Sequence, residues 1–134
     1  LRCDFARDLL WANRASEAQR QLDEARLLDP EQPTAEALRG WAALAAGDTS
    51  AARAHVRQAL EWGSWCDLAR IVEGGIAVRA GDRAAADRAW APVRERIAKR
   101  EPPNYVYRPR LAVWEQVHTL PAIERRLMDR FAAR

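Results

Sequence analysis

Apolar and polar residues in this chain nowhere alternate with a sustained period of two, so the sequence predicts helices and no β-sheet. Three pairs of helices are expected, each joined by a tight turn, with Thr34 and Ser64 as N-caps of the second and third pairs. The first helices are predicted at about Leu1–Ala12, Ala35–Ala46 and Trp65–Ala80. The second helices are predicted at about Ser16–Leu28, Thr49–Trp62 and Arg83–Arg100.

The pattern changes beyond residue 100. A Glu-Pro-Pro-Asn stretch at 101–104 predicts a linker, and apolar residues between 111 and 117 indicate a short helix. A second helix is predicted to follow Thr119 as its N-cap, with an apolar stripe formed by Leu120, Ile123, Leu127 and Phe131. We therefore expect residues 101–134 to form a linker and C-terminal capping helices.

Three segments of the chain are related by a period of 34 residues. This shift aligns Asn13, Gly47 and Gly81, which are residue types that tolerate the left-handed conformation ending a helix. It also aligns small residues, which fit where two helices cross closely. The aligned sets are Ala6, Gly40 and Gly74; Ala12, Ala46 and Ala80; Ala18, Ala52 and Ala86; and the larger Leu22, Val56 and Trp90.

This helical hairpin resembles the tetratricopeptide repeat (TPR) family, whose pattern has small, bulky and proline residues at fixed positions. The resemblance implies an all-α, right-handed solenoid of about 7–8 helices, with hairpins at 1–34, 35–64 and 65–100. Ser64 and Ala98 depart from it, because the pattern has proline there. The matching residues of the first unit are Ala6, Ala18, Leu22, Ala25 and Pro30.

Charge is distributed unevenly along the 134 residues, whose net charge is +3. Residues 1–67 carry 8 basic and 11 acidic side chains, whereas residues 68–134 carry 14 and 8. The densest basic segment spans 94–110, where two tyrosines interleave with arginines. A solvated helix end is the commoner explanation of such a run. Binding of nucleic acid or an acidic surface through residues 94–110 is the alternative function.

No residue pattern typical of catalysis occurs in the sequence: there is no phosphate-binding glycine loop, no GxSxG and no paired nucleophile. Cys3 and Cys66 are far apart and form no CxxC pair. His55 and His118 lack the spacing of metal ligands. We therefore predict that the chain is not an enzyme and binds no metal or cofactor.

The TPR resemblance implies a protein-interaction module that binds a protein or peptide partner in a concave groove lined by the first helices. Tryptophan and arginine are favoured in such contacts. Two alternatives are that Trp11 and Trp41 only pack between hairpins, and that the C-terminal segment itself fills the groove. The predicted partner-binding residues are Arg7, Leu10, Trp11, Trp41, Leu44, Val78 and Arg79.

Leu1 falls inside the first predicted helix, so we expect further sequence before it, either more repeats or a membrane anchor. No uncharged stretch approaches the roughly 20 residues that a transmembrane helix needs. The preference for arginine over lysine, 21 against one, is typical of a GC-rich bacterial genome. A bacterial protein, cytoplasmic or membrane-tethered, is expected; the sequence leaves its compartment and oligomeric state open.

Overall fold

The computed structural model describes residues 2–101 and 120–133, with side chains at 6–101 and 121–133. These residues form seven α-helices and no strand, as three hairpins and one further helix. The short helix predicted between 111 and 117 and the N-cap Thr119 lie outside the described residues. The helices are α1 (Arg2–Trp11), α2 (Ala15–Leu28), α3 (Pro33–Ala45), α4 (Thr49–Trp62), α5 (Asp67–Arg79), α6 (Arg83–Ala98) and α7 (Leu120–Ala132).

The same turn closes all three hairpins. Asn13, Gly47 and Gly81 have φ angles of 61°, 84° and 81°, which confirms the predicted left-handed turn. The amides of Gly47 and the next residue donate to the carbonyls of Leu44 and Ala43, at 3.1 and 2.9 Å. This Schellman motif satisfies carbonyls that the helix end leaves open. The aspartate after each glycine then caps the following helix.

Two helices have N-caps other than those predicted. Gln32, rather than Thr34, caps α3 by accepting a hydrogen bond from the Ala35 amide at 3.1 Å. Pro33 takes the first helical position, where its missing amide hydrogen costs nothing. Cys66, rather than Ser64, precedes α5. Both predicted N-caps were therefore wrong.

Gly40 and Gly74 lie where the two helices of a hairpin cross. A Cβ atom on Gly40 would lie 3.1 Å from a methyl of Val56, and one on Gly74 only 2.0 Å from Nε1 of Trp90. Trp90 is fully buried, and its Nε1–H donates to the carbonyl of Ile71 at 3.0 Å. These contacts confirm the predicted role of glycine at the two crossings.

The two recurrent alanine columns lie in different environments. The residues of the buried column have no exposed surface and pack inside the hairpins. The other column is exposed, because its members lie beside the left-handed turn residues, and the expectation that they pack at helix crossings is wrong for them. The buried column is Ala18, Ala52 and Ala86, and the exposed one is Ala12, Ala46 and Ala80.

Helices of successive hairpins contact each other in a regular order. The first helices α1, α3 and α5 are neighbours, while α2 packs on α3 and α4 packs on α5. We call the surface formed by α1, α3 and α5 the first-helix face. Helix α7 does not continue the series of hairpins, because it packs on α5 and reaches side chains of α1 and α3. The first-helix face is therefore covered in part by α7.

Candidate functional site

Three aromatic rings from three helices meet on the first-helix face. The ring centroid of Trp41 lies 5.7 Å from that of Trp11 and 6.0 Å from that of Phe131. The interplanar angles of 86° and 70° are edge-to-face arrangements, which place the positive edge of one ring on the negative face of another. The side chain of Trp41 is only 3% exposed, so this cluster connects α1, α3 and α7 through a buried ring.

The ring of Phe131 occupies space that α5 leaves open at Gly75. A Cβ atom on Gly75 would lie 2.7 Å from Cγ of Phe131, a separation that two carbon atoms do not tolerate. Gly75 follows Trp41 by one 34-residue period, so α5 carries a glycine where α3 carries a tryptophan. We call this space the Gly75 recess. Phe131 fills it.

Helix α7 turns an apolar side toward the hairpins and a charged side toward solvent. The buried side lies against α5, and it spans two turns of α7 at helical spacing. Of the predicted apolar stripe, Leu127 and Phe131 belong to this packing surface, Ile123 is half-buried, and the side chain of Leu120 lies outside the described residues. The buried apolar residues of this surface are Leu127, Met128 and Phe131, and the exposed ones opposite are Arg125, Arg126 and Asp129.

Arg130 joins the C-terminal end of α7 to the turn between α1 and α2 by hydrogen bonds. Its Nη1 donates to the carbonyl of Trp11 at 3.1 Å, and its Nη2 donates to Oδ1 of Asn13 at 2.5 Å. The guanidinium carbon also lies 5.0 Å from the ring centroid of Trp11, within the range of a cation–π contact. One arginine thus binds both the backbone and the ring of Trp11.

Arg96 binds the N-terminal half of α7. Its Nε donates to Asp67 of α5 at 2.6 Å, and its Nη2 donates to Glu124 of α7; all three side chains are buried. Burial alone would lower the pKa of the Arg96 guanidinium, but hydrogen bonds and charges of Glu124 and Asp67 outweigh this and raise the pKa. The charged arginine therefore joins α5, α6 and α7.

The predicted partner-binding residues belong to α1, α3 and α5, but they differ in accessibility. The guanidinium of Arg79 donates to the carbonyl of Leu44 at 2.6 Å, and Arg7 Nε lies 3.8 Å from Asp8. Partner binding by the predicted set stays a prediction. The buried members are Leu10, Trp41 and Leu44, and the half-buried ones are Arg7, Trp11, Val78 and Arg79.

The contact between Gly75 and Phe131 was not predicted, although Phe131 belongs to the predicted apolar stripe. The alternative that the C-terminal segment fills the groove agrees with the position of α7 on the first-helix face. A usable signal was present: Gly75 is a small residue that stands outside the small-residue columns of the repeat. Such a glycine indicates close approach of another element, not the closure of its own hairpin.

A second surface is a groove of about 580 Å³ between α4, α5 and α6. Val56, Leu60 and Ile76 contribute apolar lining, and Arg53 and Glu73 bring opposite charges to its rim. The groove therefore combines an apolar lining with both signs of charge.

The described part of the basic segment is largely engaged with the protein itself. Arg94 lies 3.5 Å from Asp87 and stacks over the ring of Trp90 at 5.3 Å. Arg96 is buried, as described above, and Lys99 pairs with Glu95 at 3.0 Å. The rest of the predicted segment, 102–110, lies outside the described residues. Within 94–101, Arg94, Arg96 and Lys99 thus contact acidic side chains of the protein itself, whereas Arg100 is exposed.

A further charged cluster lies between α2, α3 and α4. The buried carboxylate of Glu36 lies 2.6 Å from Nδ1 of His55 and 3.4 Å from Arg26, while Arg39 donates to Asp23 at 2.9 Å. Burial acts to raise the pKa of Glu36, but the hydrogen bond from His55 and the charges of His55, Arg26 and Arg39 outweigh it and lower the pKa. This cluster holds successive hairpins together.

The last feature is the chemistry available for metal binding or catalysis in residues 2–101 and 120–133. No cluster of three or more His, Cys, Asp or Glu side chains there is able to hold a metal ion. Burial raises the pKa of the Cys66 thiol to about 11, so it stays protonated and a poor nucleophile. None of the described helices combines the length and apolar character needed to cross a bilayer.

Comparisons with known proteins found no match to this chain among family models, curated proteins or solved structures. No family is therefore identified. The 34-residue period and the recurrent turns remain the basis of the TPR resemblance. The structure itself establishes an all-helical protein whose described residues form hairpins packed in sequence.

Proposed function

We propose that this chain is a non-enzymatic protein-interaction module, in which TPR-like hairpins stack as a right-handed solenoid. A helical segment of a partner protein binds its concave surface, the first-helix face. The recurrent left-handed turns and the contacts between successive hairpins support the stacking. Because neighbouring first helices pack side by side, their exposed sides form one extended surface.

The observation that carries this proposal is the amphipathic helix α7 lying on the first-helix face. Phe131 fills the Gly75 recess, and Arg130 binds Trp11. A surface that packs an amphipathic helix through apolar anchors has the shape and chemistry for helix-in-groove recognition. In this proposal Val78 and Arg79 extend the contact, while buried residues such as Trp41 support the surface from below.

A display library of random 20-residue peptides, selected on the full chain, tests this function. We expect enrichment of amphipathic helical peptides with an aromatic residue. Val78→Asp and Trp11→Ala should each weaken the selected peptides by about tenfold or more, since aromatic and apolar anchors dominate such contacts. Arg20→Ala, an exposed change on α2, is the matched control and should leave affinity unchanged.

Peptides that bind all of these variants equally, while the circular dichroism spectra stay native, would contradict the proposal. So would the absence of any enrichment. An oligonucleotide that binds at low salt and dissociates steeply as salt rises would instead support the alternative interface at residues 94–110.

A further inference from the structure

The Gly75 recess results from the missing side chain at position 75 of α5. Residues one period apart in the repeat are Arg7, Trp41 and Gly75, so the third hairpin lacks the side chain that its predecessors carry at this position. The missing Cβ is required by the occupant, because Cγ of Phe131 would lie 2.7 Å from it. Trp41 forms one wall of the recess and meets the Phe131 ring edge-to-face. The recess therefore fits an aromatic side chain projecting from a helix.

Contacts at both ends of α7 add specificity to this fit. Glu124 meets the guanidinium of Arg96, one turn before the apolar pair Leu127 and Met128. Arg130 precedes the aromatic anchor and binds the carbonyl of Trp11. A helix that occupies this face thus presents a carboxylate, two apolar residues, an arginine and an aromatic residue. In α7 this is the run Glu-x-x-Leu-Met-x-Arg-Phe at 124–131.

A longer segment connects α7 to the hairpins than connects the hairpins to each other. Four residues separate α2 from α3 and α4 from α5, whereas residues 99–119 separate α6 from α7. Among the residues that the structure describes, no hydrogen bond joins a backbone group of α7 to a backbone group of α1–α6. Its described contacts are made by side chains, which another helix bearing the same side chains is able to reproduce.

We propose that α7 is an internal ligand of the first-helix face and that a partner's amphipathic helix carrying the same pattern replaces it. This inference rests on the proposed function and specifies both its partner and its regulation. While α7 is docked, a partner must compete with a helix held on the same chain. Weakening α7 therefore increases the apparent affinity for the partner helix without changing the surface that binds it.

The test uses the full chain and a fluorescent synthetic peptide of residues 119–133, followed by fluorescence anisotropy. Phe131→Ala in the chain weakens the internal ligand but preserves the recess. We expect that chain to bind the peptide about tenfold more tightly, or better, than the unaltered chain does. Arg130→Ala, which removes only the contacts to Trp11 and Asn13, should increase affinity in the same direction and serves if Phe131→Ala fails to fold.

Two controls address the recess directly. A peptide in which Phe131 is replaced by alanine should lose binding to every chain, and a Gly75→Val chain should bind neither peptide. Equal peptide affinity of the unaltered, Phe131→Ala and Arg130→Ala chains would overturn the proposal. Equal affinity of the unaltered and the Phe131→Ala peptides would also overturn the proposal, because such binding would not involve the recess.

Light scattering tests whether α7 is exchanged between two copies of this chain. We expect a monomer of 15.2 kDa in every sample without peptide. A dimer that the peptide splits would overturn the proposal, because α7 would then be exchanged between two copies of this chain. If library-selected peptides bind the first-helix face but the α7 peptide does not compete with them, this inference fails while the proposed function stands. If no peptide of either kind binds, both fail.

Discussion

Gly74 and Gly75 are neighbours in α5, yet they serve two different contacts. Gly74 faces Trp90 of α6, whereas Gly75 faces Phe131 of α7. The first contact closes a hairpin whose helices are joined by a tight turn. The second joins α5 to a helix that follows residues 102–119. The Gly74 contact therefore builds the fold, whereas the Gly75 contact covers its surface.

The repeat explains the first glycine and not the second. Gly74 continues the small-residue column of Ala6 and Gly40, so the hairpin packing itself requires it. Gly75 stands where the earlier hairpins carry Arg7 and Trp41. A glycine inside a helix costs about 1 kcal/mol relative to alanine. Its presence outside the repeat pattern therefore indicates a role specific to the Phe131 contact.

The largest expected effect comes from Arg96, which joins α5, α6 and α7 through Asp67 and Glu124. Arg96→Met removes the guanidinium that binds two buried carboxylates, and breaking a buried ion pair in this way costs about 3–5 kcal/mol. Urea unfolding followed by circular dichroism measures the loss. Arg88→Met, an exposed change on the same helix, should stay within about 0.5 kcal/mol of the unaltered chain. Similar losses in the two variants would contradict a structural role for the ion cluster.

Gly74→Ala should be the next most damaging change. The added Cβ collides with the buried indole of Trp90, and overpacking of this kind lowers the free energy of unfolding by about 1–3 kcal/mol. Gly40→Ala is the matched control at the equivalent position. There the nearest atom to the new methyl is a Val56 methyl at 3.1 Å, and a gain in helix propensity of about 1 kcal/mol offsets the contact. Equal losses in urea unfolding would show that the two crossings do not differ.

The smallest effect is expected at Glu36, which lies away from both glycine contacts. Its pKa is lowered in the folded state, so its contribution is present above the unfolded value of about 4.3 and is lost as the pH falls through the folded pKa. Glu36→Gln should therefore lower stability at pH 7 by about 1 kcal/mol and flatten the decline below about pH 5. Urea midpoints at several pH values measure this, and parallel curves for the two chains would contradict it.

Much of the fold could be predicted because its signals are local and periodic. Asn13, Gly47 and Gly81 mark turns whose left-handed conformation follows from residue type. The N-caps were harder, because Gln32 competes with Thr34 for one helix start and proline decides between them. The position of α7 could not be derived from the repeat. It depends on Phe131 and Arg130 meeting residues more than fifty positions away, which no local pattern encodes.

If α7 occupies the first-helix face as a separable ligand, it should open while the hairpins stay folded. Amide hydrogen exchange of the full Gly75→Ala chain tests it most directly, because the new Cβ displaces Phe131 while alanine favours the α5 helix. We expect the amides of α7 to exchange about tenfold faster or more than in the unaltered chain, while those of α5 and α6 keep their protection. Equal loss of protection in α5, α6 and α7 would show one cooperative unit and contradict the claim.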